Sequence, residues 1–341
     1  MRTRLAAASL ALLLAAGCGA APNSATDSEP GAAPPTASQG GASSESPSAS
    51  PTDSMSPAAS EAATSASPSP TEASPARLEL PRGGTTVFPH YRLVGYAGLT
   101  GSPPLGRLGI GKLSERVKEL EKRAQPYAED REILPVMEVI ATIVLSTAGS
   151  DGMYRARMSD EMVQHYLDEA RANKALLLLN IQPGRARFLD EVKAYDKWLA
   201  EPDVGLALDP EWAMGPGQVP GRVFGRTTGT VLNQVAAHVS KIVEQNNLPE
   251  KVVVYHQLAP QIVRKESALK DHPGVALVKS VDGIGARVDK IGTYRRVNKT
   301  TPKFVHAGFK LFYVEDAEAG PLMTPRQVLA IKPKPDYVMY E

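Results

Sequence analysis

Residues 204–212 read VGLALDPEW, and two carboxylates, Asp209 and Glu211, close this apolar run with one proline between them. A pair of carboxyls is the usual equipment for breaking a bond to oxygen, one donating a proton while the other stays charged. Alternation along a strand says where the pair would point. Gly205, Ala207, Asp209 and Glu211 share one face of an extended chain, about 6.5–7 Å between the two acids, and Leu206 and Leu208 share the other. The small residues suit a crowded interior and the leucines suit a layer of helices, so parity sends both acids inward where the strand ends. Trp212 follows, with a ring face suited to stacking on a sugar. The plainer alternative, loop acids that cap a helix or pair with an arginine such as Arg222, stays open at this level.

Such a pair needs a scaffold, and from Arg77 onward the sequence has a regular beat. The strand-like runs are YRLVGYAG, EILPVMEVIATIV, ALLLLNIQ, VGLALDPEW, KVVVYHQL, VALVKSVDG, FVHAGFKLFYVED and DYVMYE. Seven helix-like stretches separate them, among them KLSERVKELEKRAQPYA, with Leu113, Val117, Leu120 and Ala124 at helical spacing, and a shorter one around QIVRKESAL. Near-continuous apolar strands alternating with helices indicate a parallel sheet covered by helices. Eight such units over residues 77–341 have the size of a (β/α)8 TIM barrel. The main competitor is an open doubly wound sheet. The first loop, GLTGSPPLGRLGIG, lacks the Gly-x-Gly-x-x-Gly spacing, and GRLGIGKL places Leu113 where a phosphate loop needs a hydroxyl.

In a barrel the active site lies at the C-terminal ends of the strands, and the other strand ends are polar too. The second ends near Glu138, the third at Asn180 and Gln182, the fifth at His256 and Gln257, and the sixth at Asp282. The seventh offers Lys310, Tyr313, Glu315 and Asp316, and the eighth Tyr340 and Glu341. Singly each has an ordinary explanation: His256 as a satisfied core histidine, Lys310 as a neutraliser of buried acids. Together they form a ring whose desolvation a mere scaffold has little reason to bear.

The first eighteen residues, MRTRLAAASLALLLAAGC, join a basic start at Arg2 and Arg4 to a dozen apolar residues, too few for a comfortable transmembrane helix. They end on Ala-Ala-Gly-Cys, which resembles a bacterial lipobox, and imply lipidation at Cys18, with Ala15 where leucine is usual. Cys18 is the single cysteine, so one copy of the chain can form no disulfide. Residues 19–76 are rich in Ser, Pro, Ala and Thr without apolar periodicity, and are expected to be a disordered tether. That stretch holds six acids and no Lys or Arg, which leaves the part from Arg77 onward at +5, from 36 basic against 31 acidic residues. The charge is mild and dispersed, giving no reason to expect nucleic acid.

Asp-x-Glu at the end of a fourth strand resembles the motif of TIM-barrel glycosidases, notably chitinases and muramidases of that fold. Chitinases carry D-x-x-D-x-D-x-E there; this chain matches the last two acids and has Val204 and Ala207 at the earlier positions. The whole domain is also similar to actinobacterial lipoproteins of unassigned function that share GLALDPEW and a lysine-aromatic-acid seventh strand. The glycosidase resemblance implies Glu211 as general acid. It implies Asp209 as the group that orients a 2-acetamido substituent or stabilises an oxocarbenium-like transition state. In a conventional two-carboxylate scheme the second acid would be Asp282, Glu315 or Glu138. Trp212, His256, Gln257, Lys310, Tyr313 and Tyr340, with Glu138, would bind substrate.

The expectation is therefore a lipid-anchored domain on the extracellular face of the cell membrane, acting on a carbohydrate or cell-wall polymer, monomeric, without metal or cofactor. Its rival is a noncatalytic carbohydrate- or wall-binding lipoprotein of the solute-binding kind, though two-lobed binders lack this unbroken alternation. A metal-dependent hydrolase would want His-x-His on the first strand, and LVGYAG has none.

Overall fold

A computed structural model describes residues 77–341; the expected signal, Cys18 lipidation site and linker lie outside the described residues. Eight parallel strands close on themselves. They are β1 (Tyr91–Gly98), β2 (Glu132–Val144), β3 (Leu176–Ile181), β4 (Val204–Leu208), β5 (Lys251–Gln257), β6 (Val275–Val281), β7 (His306–Leu311) and β8 (Tyr337–Tyr340). Each pairs with its sequence neighbours, and β1 pairs with both β2 and β8 to complete the (β/α)8 barrel. The helices are α1 (Leu113–Ala124), α2 (Asp160–Ala172), α3 (Phe188–Lys193), α4 (Asp196–Leu199), α5 (Gly229–Gln245), α6 (Arg287–Val297), α7 (Glu315–Ala319) and α8 (Pro325–Leu329).

Two apolar layers follow from strand alternation. Leu93, Leu134, Val136, Leu178, Val254 and Met339 are among the residues filling the barrel, and Leu80 and Val87, from the segment before β1, join the same cluster. The opposite faces, with Val94, Leu177, Leu206, Leu208 and Tyr255, pack on helix residues such as Val117, Leu167 and Val239. Strand β4 behaves as parity requires: Ala207 belongs to the interior and both leucines to the outer layer. At Gly205 the interior is so tight that a Cβ would stand 2.6 Å from Leu178 Cδ2 and 2.7 Å from the Val252 carbonyl oxygen.

Three units depart from the expected alternation. QIVRKESAL forms no α-helix. Val263–Arg264 instead pair with Thr227–Thr228, and Glu266 begins a 3-10 turn. Glu266 is buried there, accepting from Tyr255 Oη (2.8 Å) and Thr300 Oγ1 (2.6 Å) beside Lys279 Nζ (2.5 Å), an inward anchor that replaces the helix. The third helix breaks into α3 and α4 at Tyr195, whose hydroxyl donates to the Ala141 carbonyl (2.5 Å) where the β2–β3 register shifts. Strand β7 stops at Leu311, so Tyr313 lies in a loop and Glu315 and Asp316 open α7.

Candidate functional site

At the C-terminal mouth the inward positions of six strands bring together the polar residues Glu138, Asn180, Asp209, His256, Asp282 and Lys310, all buried. The centre is His256. Its Nδ1 donates to Asp282 Oδ2 at 2.8 Å, and its Nε2 stands 3.0 Å from Glu138 Oε1 in an ion pair outside hydrogen-bond geometry. Burial opposes the charge on the imidazole, but the Asp282 and Glu138 carboxylates outweigh it and hold the histidine well above its ordinary range. Burial would likewise raise both carboxyls, yet the charges of His256 and Lys310 bring Glu138 and Asp282 down to about 2. Both are ionised at neutral pH, and a group so weakly basic is a poor proton acceptor. Since both ring nitrogens face carboxylates, His256 has none free to ligate a metal.

The cation of the other half is Lys310, which reaches Glu341 Oε2 at 2.5 Å and Asp282 Oδ2 at 3.4 Å. Tyr337 Oη donates to Glu138 Oε2, and Ser280 Oγ to Asp282 Oδ1 at 2.9 Å. Asn180 Nδ2 bridges two acids, donating to Glu138 Oε1 (3.0 Å) and Asp209 Oδ1 (2.9 Å). Gln182 Nε2 adds a 3.1 Å bond to Asp209 Oδ2.

The acid pair sits on the rim of this ring. Strand β4 ends at Leu208, and Pro210–Trp212 form a 3-10 turn. The two acids are therefore not the i, i+2 neighbours of an extended strand. The proline, with fixed φ and no N–H, ends the ladder there. Asp209, Glu211, Asp282 and Lys310 are 6%, 9%, 8% and 6% exposed, so the mouth is narrow. Desolvation raises the Asp209 carboxyl, opposed by the charges of His256 and Lys310 and by the Asn180 amide. Glu211 is pushed up much further, by desolvation first and then by the Asp209 and Asp282 charges. Its Oε2 is buried without a partner, as is Asn180 Oδ1. Both carboxyls are thus raised, Glu211 the further of the two, and two neighbouring acids pushed apart in this way are the arrangement an acid and its partner need.

Five carboxyls (Glu138, Asp209, Glu211, Asp282, Glu341) face two basic side chains (His256, Lys310) at the mouth.

The remaining sequence candidates lie elsewhere. Trp212 is buried against Val144 and Met214, which leaves little open ring face. Gln257 points to the outer face, where its Nε2 donates to the Ala259 carbonyl at 3.1 Å. Tyr340 also faces outward, stacked on Tyr313 (5.3 Å between centroids) and bonded through its hydroxyl to that of Tyr127 (2.6 Å). Arg107 and Arg123 lie over these rings. Glu315 is half-buried in α7 and has no ion-pair partner among the described residues. Asp316 is tied to Lys290 at 2.8 Å.

Ser280 and Tyr337 are the ring members that sequence reading passed over. Strand parity could have found both: Ser280 lies two residues before Asp282, and Tyr337 four before Glu341.

Among known proteins, no family model matches the chain and no curated protein matches it.

Proposed function

We infer that this barrel is a glycoside-hydrolase-like domain acting on an envelope or environmental carbohydrate. Glu211 is its general acid and Asp209 its charged partner. One observation carries the reading: a buried Glu211 carboxyl with Oε2 unpartnered, pushed well above the usual carboxylate range by desolvation and by Asp209 beside it at the C-terminal mouth. Buried polar atoms without partners are rare in folded proteins, and a substrate oxygen is what this one lacks.

In the reaction Glu211 gives its proton to the glycosidic oxygen as the bond to the anomeric carbon breaks. The ring becomes positively charged at that carbon, and Asp209, fixed by Asn180 and Gln182, stabilises that charge until a water bonds there and returns a proton to the Glu211 carboxylate. Glu138 and Asp282 serve as counter-ions of His256, and carboxyls held down to about 2 are weak bases. A lipid on Cys18 and the 19–76 tether would hold the domain at the outer face of the membrane.

The test is turnover of peptidoglycan and of aryl β-glycosides by the purified protein beside Glu211→Gln. The parent is expected to cleave at least one, and the variant to lose about 10²–10⁴-fold, the contribution of a positioned acid. A variant that keeps its rate removes Glu211 from the chemistry. The narrowness of the mouth favours a second reading, a surface protein that binds sugar without cutting it. A melting temperature raised by sugar with no bond broken decides for that one.

A further inference from the structure

We propose that a groove beside the acid pair is a subsite for an anionic sugar residue, one bearing a carboxylate or a phosphate. The proposal rests on the carbohydrate reading above and adds the charge of the ligand at one position. The groove, of about 310 Å³, runs between the loop after β3, the segment following Glu211 and the start of α5. That is the lower end of small-molecule sites, room for about one sugar ring.

Its lining contains Arg187, Arg226, Gln218 and Gln234 and no Asp or Glu. Arg226 is exposed and has no ion-pair partner among the described residues. Arg187 stands 3.9 Å from Asp190, both exposed, and such a contact is worth little. The first turn of α5 has no acid, and Thr227 and Val231, at that end, are part of the wall. The helix therefore adds positive potential on the same side.

The walls are held by bonds rather than left loose. Gly225 N donates to the Glu211 carbonyl (2.6 Å), Arg226 N to that of Ala213 (3.0 Å), and Met214 N to that of Gly184 (2.7 Å). Gly184, at φ +59°, lies closely against the Met153–Tyr154 segment, where a Cβ would meet the Met153 carbonyl oxygen and stand 2.8 Å from that of Tyr154. Arg185 donates to the Gln218 carbonyl at 2.9 Å with its guanidinium over Tyr154, and Gln218 Oε1 accepts from Gly215 N at 2.6 Å. Ala213 and Met214, two and three residues beyond Glu211, line the groove, so its position is fixed relative to the acid.

Charge then sorts a ligand. The mouth gathers five carboxyls around two basic side chains, whereas the groove presents two guanidiniums and no acid and attracts an anion. A carboxylate or phosphate can accept paired hydrogen bonds from a guanidinium, which a neutral hydroxyl cannot match. A sugar chain with an anionic residue is thereby oriented across Glu211 in one direction.

The experiment is calorimetric titration of the protein, at low salt, with glucuronate, glucose 6-phosphate and glucose. The parent, R187Q/R226Q and E211Q are compared. At least one anionic probe is expected to bind about tenfold or more tighter than glucose, the scale of a charge-assisted pair. The better of the two tells carboxylate from phosphate. R187Q/R226Q is expected to lose the preference with an unchanged melting temperature, since both side chains are exposed, and E211Q to keep it. Equal binding of all three sugars overturns the proposal, as does a preference that survives in R187Q/R226Q or disappears in E211Q. Absence of turnover with the preference intact sinks only the hydrolase reading; turnover without the preference sinks only the subsite.

Discussion

His256→Gln removes the charge between Glu138 and Asp282 while keeping an amide N–H donor of similar reach. The variant leaves two buried anions with Lys310 as their main neutraliser. In the parent, Glu138 lies at about 2 against an ordinary 4.5, and Asp282 at about 2 against 3.8. At 1.36 kcal/mol per pKa unit, the Glu138 depression alone corresponds to about 3 kcal/mol. Removing one partner of a buried pair costs about 3–5 kcal/mol by general experience, in agreement. For a domain of this size that is a melting temperature lower by roughly 6–20 °C.

The pH dependence carries the sign. The carboxylates, depressed on folding, stabilise above their unfolded values of 3.8 and 4.5, and that stabilisation is lost as pH falls through about 2. The histidine, raised on folding, stabilises fully below its unfolded 6.5, and this part is lost as pH rises towards its folded value. The gap between parent and variant is therefore expected to be widest between about pH 4.5 and 6.5 and to shrink on both sides. Urea denaturation of both proteins across pH 4–9 measures it. A loss below about 1 kcal/mol, or one that is flat with pH, would refute the ion triad as the element that holds the mouth.

Three further outcomes follow from the same geometry. Gly205→Val drives methyls into Leu178 and the Val252 carbonyl and is expected to destabilise by about 1–3 kcal/mol, read by thermal melting. Arg92 is fully buried with Nε and Nη2 unpartnered, and burial lowers its pKa. Arg92→Met is therefore expected to be neutral or stabilising by about 0–2 kcal/mol in urea, and a loss above about 3 kcal/mol would show that the guanidinium is needed. Any hydrolytic activity is expected to persist through neutral pH and to fall as pH rises through the elevated Glu211 pKa, because the acid must be protonated to donate. A kcat profile that instead rises with pH across that range contradicts the assignment.

Much of the scaffold was legible in the chain. Strand periodicity and the alternating helical stretches located all eight strands, because a parallel barrel strand buried on both faces is a nearly unbroken apolar run. The direction of Asp209 was legible too, since two-residue alternation is local and the small Gly205 and Ala207 mark the inner face. The same rule sends Glu138, Asn180, His256, Asp282 and Lys310 inward. It equally sends Gln257 and Tyr340 outward, which a count of polar strand ends overlooks. The length of β7 was not legible: FYVED continues an apolar pattern, yet the chain leaves the sheet after Leu311, where Asp316 accepts from Phe312 N and pairs with Lys290 of α6.

Tertiary structure alone decided who meets whom. That His256 lies between Glu138 and Asp282 depends on three strands whose C-terminal ends come to one level only when the barrel closes. That the Glu211 carboxyl is pushed upward depends on desolvation and on the Asp209 and Asp282 carboxyls, which no spacing encodes. The groove between Arg187 and Arg226 depends on two loops folding back on one turn. Periodicity is written residue by residue, whereas pairing and dielectric are properties of the closed, packed chain.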